Sequence, residues 1–68
     1  MTRIRLNGEV QQIDRGTTVR ALAGRFTDEP DAKGIAVAVN GEVVPRADWA
    51  RGLRDDDEVE VVKASQGG

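Results

Sequence analysis

The sequence predicts an α+β domain: a mixed sheet of about four to five strands with one main helix across one face. Three observations lead there. Charged or small residues alternate with apolar ones at period two in separated stretches, as in half-buried strands. Asn-Gly pairs at 7–8 and 40–41 sit beside such stretches, where two-residue hairpin turns belong. Only one segment carries apolar residues at helical spacing, Val19, Leu22, Ala23 and Phe26, at i, i+3, i+4 and i+7.

Taken in order, Arg3-Ile4-Arg5-Leu6 is the first strand, Asn7-Gly8 the turn, and Glu9 to Ile13 the returning strand. Thr17 or Thr18, after Asp14-Arg15-Gly16, can cap the helix. Residues Thr27 to Gly34 include acids, Pro30 and Gly34, which end a helix and loop the chain back. Alternation resumes at Ile35-Ala36-Val37-Ala38-Val39, and Asn40-Gly41 turns it into a short fourth strand, Glu42-Val43-Val44. Pro45 has no N–H to donate to a ladder, and Ala47 to Arg51 can form one helical turn carrying Trp49, with Leu53 pinning the segment to the core. Asp55-Asp56-Asp57 makes an acidic turn before the last strand, Glu58 to Val62, whose Val59 and Val61 face inward. Hairpin, helix, hairpin, short turn and final strand make up the β-grasp order of ubiquitin-like domains, with residues 1–63 as the domain and 64–68 as a free tail.

Composition excludes much. A chain of 68 residues with no cysteine and no histidine has no disulfide, no thiolate nucleophile and none of the usual zinc ligands or acid–base relays. The net charge of −2, with both signs interleaved, offers no grip on a phosphate backbone, so nucleic acid is not expected as a partner. Met-Thr-Arg-Ile-Arg-Leu lacks the apolar run of a secretory signal, and no stretch approaches membrane-spanning length, so a cytoplasmic protein with no membrane partner is expected. Phosphate-binding, dinucleotide, hydrolase and zinc-protease motifs are all missing. The acids at 55–58 do not make an EF-hand, because Val59 stands where a third ligand is needed; they read as a solvated turn, and no metal is expected.

What remains is the ending Gln66-Gly67-Gly68. Glycines carry no side chain, so such a tail can thread a narrow channel and bring a terminal carboxylate to another protein's reactive centre. An inert, frayed terminus is the alternative physical reading.

The ordered set Val39-Asn40-Gly41-Glu42-Val43-Val44-Pro45-Arg46, then Trp49, Leu53, Asp57-Glu58-Val59 and Gly67-Gly68, resembles the sulfur carriers of thiamine biosynthesis, the ThiS family. The resemblance spans nearly the whole chain. It departs from the family pattern at Asp56, where the family has glycine, and at Ser65, where an apolar residue is common. Asp56 is expected to take a left-handed backbone conformation, and Ser65 to weaken apolar tail contacts.

The resemblance implies a carrier rather than an enzyme. Gly68 would be adenylated in trans by a ThiF-like adenylyltransferase using ATP, then converted to a thiocarboxylate that supplies sulfur to a ThiG-like thiazole synthase. Gly67 and Gln66 would thread the tail, and the carrier itself would bind no cofactor and act as a monomer. Strand alternation puts Arg3, Arg5, Ala36, Ala38, Glu58, Glu60 and Val62 on the sheet face opposite the helix, the candidate docking surface for these partners. Three other readings share the fold: a MoaD-like carrier for molybdopterin synthesis, which typically shows a Pro-Pro pair where this chain has Lys63-Ala64-Ser65; a modifier conjugated through Gly68; and an interaction module with an inert tail.

Overall fold

Two Asn-Gly turns organise the sheet in the computed structural model, which describes residues 1–27 and 34–63. Strand β1 (Thr2–Leu6) pairs antiparallel with β2 (Glu9–Ile13), Thr2 opposite Ile13 and Leu6 opposite Glu9. At the connecting turn Asn7 has φ 50° and Gly8 φ 87°, and the second turn repeats this with Asn40 at 53° and Gly41 at 85°. Two consecutive positive φ angles give a turn whose twist matches that of the flanking strands, and Asn-Gly adopts it at least cost. The second turn joins β3 (Ile35–Val39) to β4 (Glu42–Val43).

The final strand, β5 (Glu58–Lys63), enters the middle of the sheet, giving the order β2-β1-β5-β3-β4. It runs parallel to β1 and antiparallel to β3. Because side chains alternate, one face collects Ile4, Leu6, Ile13, Val37, Val39, Val59 and Val61, all buried. Val19, Leu22 and Ala23 of the helix cover that face, with Val44, Trp49 and Leu53 completing a single core. Burying each larger side chain contributes about 1.5–3 kcal/mol, and a domain of this size has few to lose.

Helix α1 spans Val19–Ala23, shorter than the spacing through Phe26 predicts. Thr18 begins it in extended conformation, its hydroxyl accepting the Ala21 N–H at 3.0 Å. After Ala23 the chain tightens: the N–H groups of Arg25 and Phe26 donate to the carbonyls three residues back, Leu22 and Ala23. Phe26 therefore leaves the helix yet remains half-buried against the core, which is what its spacing required.

The segment after β4 holds the start of the helix. A 3₁₀ turn covers Arg46–Asp48 and Trp49 closes it, so it starts one residue before the turn expected over 47–51 and is shorter. The Val19 N–H donates to the Arg51 carbonyl at 3.0 Å and the Arg20 N–H to the Trp49 carbonyl at 2.9 Å, while Leu53 N–H returns to the Thr17 carbonyl at 2.8 Å. Helix-start donors that α-helical geometry leaves unmatched thus find backbone acceptors. Trp49 is 2% exposed and its indole Nε1–H donates to the Val44 carbonyl at 3.0 Å. The Arg46 guanidinium lies 4.3 Å from the centre of the Trp49 ring and also reaches the Ile35 carbonyl at 2.9 Å. Trp49 is a staple between loop, strand and helix. No helix among the described residues is long and apolar enough to cross a membrane.

Candidate functional site

The candidate site has two parts: the strand that leads into the tail, and the exposed sheet face beside it. β5 is held from both flanks by the asparagines of the two hairpin turns. On the β1 side, Asn7 N–H donates to the Val59 carbonyl at 2.9 Å, and Asn7 Oδ1 then accepts the Val61 N–H at 2.9 Å. On the β3 side, Asn40 N–H donates to the Glu58 carbonyl at 2.7 Å and Asn40 Oδ1 accepts the Glu58 N–H at 2.9 Å. The sequence reading gives these asparagines a turn role only. Their second role, fastening β5, depends on a strand pairing that adjacent residues do not encode.

The acidic turn is only partly solvated. Asp56 has φ 69°, the left-handed conformation expected of a residue in a glycine position, and its N–H donates to the Arg3 carbonyl at 2.8 Å. Asp55 Oδ1 accepts the Arg3 N–H at 2.9 Å. Asp57, in contrast, is buried at 6% exposure. Its carboxylate accepts the Arg54 N–H at 2.8 Å and the Asn40 side-chain N–H at 3.0 Å, so it ties the turn to the second hairpin and closes the route into β5. A buried carboxylate needs such donors, and here they are in place. Among the described residues no buried side-chain polar atom lacks a partner, and no group of three or more acids, histidines or cysteines could hold a metal.

The register brings the seven candidate surface residues onto one sheet face. Arg5 lies between Val10 and Glu58, and Arg3 is opposite Gln12. Ala38 lies between Glu60 and Val43, and Ala36 is opposite Val62. All are exposed except Ala38, which is half-buried. The face divides into a charged half around Arg3, Arg5 and Glu58 and an apolar half around Ala36, Ala38 and Val62. Val10 and Val43, 61% and 71% exposed, belong to the same face although the sequence reading does not select them. Alternation within β2 and β4 was the signal that could have found them. The end of β5 lies beside the apolar half, with Val62, 57% exposed, just before the last described residue, Lys63, which is opposite Ile35. Gln66, Gly67 and Gly68 lie outside the described residues, as does Ser65.

The fold has a solved counterpart: the crystal structure of a thiamine biosynthesis protein (ThiS) from Geobacter metallireducens is similar, with 28% identity, a TM-score of 0.70, and coverage of 98% of this chain and 100% of that one. No curated protein matches the sequence. The profile of the ThiS family matches residues 4–68, from the first core residue of β1 through the two terminal glycines. With the β-grasp order of strands, the central β5 and a family match over almost its full length, the chain belongs to the ThiS family.

Proposed function

We propose that this chain is a sulfur carrier of thiamine biosynthesis whose working group is the carboxylate of Gly68. The observation that carries the reading is the family match through Gly67-Gly68 on a domain whose central strand leads straight into that tail. A carboxylate is a poor electrophile, so its oxygen must first be made a leaving group. A ThiF-like adenylyltransferase does this with ATP, forming the Gly68 acyl-adenylate and releasing pyrophosphate; the carrier holds no phosphate-binding loop of its own. Attack by a persulfide sulfur then expels AMP. Reduction of the resulting acyl disulfide by a thiol leaves the thiocarboxylate, and a ThiG-like thiazole synthase accepts its sulfur, with an oxygen from water or from the acceptor's carbonyl taking its place to restore the carboxylate. The chain is a co-substrate in each step and the partners are the catalysts.

This division of labour suits the residues present. The fold supplies a rigid body and a recognition face, and the two glycines supply a narrow tail. Complementation of a thiamine auxotroph lacking its own carrier tests the reading. Growth is expected with the full chain and not with a chain lacking Gly67 and Gly68; growth with both would leave the tail without a role.

A further inference from the structure

We propose that the open side of β5 beyond Asn7 is a strand-addition site for an extended segment of the enzyme that takes the tail. The proposal rests on the carrier reading above and specifies how the partner holds the strand. The phase of the β3–β5 ladder is fixed by the bond from Asn40 N–H to the Glu58 carbonyl: Glu58, Glu60 and Val62 direct their backbone groups to β3. Val59, Val61 and Lys63 therefore direct theirs to the β1 side. There β1 accompanies β5 only through Leu6 opposite Val59. The Asn7 side chain takes one further donor, the Val61 N–H, and the chain then turns away through Gly8.

Among the described residues nothing pairs with the Val61 carbonyl or the Lys63 N–H on that side. A sheet interior is thus left with a short unpaired stretch next to the exit of the tail, and unpaired strand edges are templates for another strand. Its occupant follows from reach. The five residues 64–68 span at most about 17 Å when extended, so a protein holding Gly68 in its reactive centre must come close to Lys63. Backbone bordering the tail's entry channel is the segment placed to continue the ladder, with Asn7 marking where pairing starts.

The test compares Lys63→Pro with Lys63→Ala. Both lose the ammonium, but only proline removes the N–H facing the open side, and extended Val62 accommodates a following proline. Binding to a ThiF-like enzyme is measured without ATP or sulfur donor, so the result is read independently of whether sulfur is ever loaded. Lys63→Pro is expected to bind about tenfold more weakly than Lys63→Ala, one hydrogen bond's worth. Equal affinities would overturn the proposal. Amide hydrogen exchange of the unsubstituted chain gives a second reading that no folding defect can obscure. Exchange at Lys63 is expected to slow about tenfold or more in the complex. Unchanged exchange would overturn the proposal, as would the same slowing in concentrated carrier alone, which would assign the edge to a second copy of this chain.

Discussion

Replacing Trp49 by alanine should come close to unfolding the domain. The side chain is 2% exposed, donates its N–H to the Val44 carbonyl and carries the Arg46 guanidinium on its ring, while its own carbonyl accepts the Arg20 N–H at the start of α1. Truncating a buried tryptophan costs about 3–5 kcal/mol, and a 68-residue chain has roughly 3–10 kcal/mol in all. The variant is therefore expected to lose between a third and all of its stability. Trp49→Phe keeps most of the apolar volume but strands the Val44 carbonyl, a loss of about 1–3 kcal/mol. Denaturant titration followed by circular dichroism measures both, since the variants lack the sole tryptophan as a fluorescence probe. A Trp49→Ala chain within about 1 kcal/mol of the parent would refute the staple, and normal folding with lost partner binding would make Trp49 a recognition residue instead.

Further perturbations separate fold from function. Asp56→Gly should raise stability by up to about 1 kcal/mol, because φ 69° suits glycine better than any side chain, whereas Asp56→Val should lower it; thermal melts check both. Asn40→Ala removes the donor to buried Asp57 and the acceptor for Glu58 N–H, and a loss of about 2–4 kcal/mol is expected by denaturant titration. Val62→Glu places a charge on the apolar half of the exposed sheet face and should weaken binding to an adenylating partner about tenfold or more, with stability changed by less than about 0.5 kcal/mol. Gly67→Ala or Gly68→Ala should leave the melting transition in place, since glycine has no side chain to bury, and should block loading of sulfur by widening the narrow tail.

Much of this fold is legible because its rules are local. Two Asn-Gly pairs set two hairpins, and alternation in 3–6, 35–39 and 58–62 separates inward from outward side chains, so the exposed face follows without coordinates except for Val10 and Val43. The helix length does not follow, because Phe26 keeps helical spacing while occupying a turn that merely returns it to the same core. Asp57 is hidden for a different reason. Within Asp55-Asp56-Asp57 the three side chains look alike, and only the distant Asn40, brought alongside by β3–β5 pairing, makes one of them a buried crosslink. The long-range pairing of β1 with β5 likewise gives Asn7 its hold on Val61, and with it the open stretch of β5. Gly68 stands apart from both cases. Its assignment rests on the chemistry of a side-chain-free end and on the family match, with no contribution from packing.

The most direct test of the account is the intact mass of the chain after incubation with a ThiF-like adenylating enzyme, ATP, a persulfide donor and a thiol, beside a chain lacking Gly68. The account predicts a gain equal to replacing one oxygen by sulfur on the full chain alone; an unchanged mass beside an enzyme that loads its own carrier would contradict it.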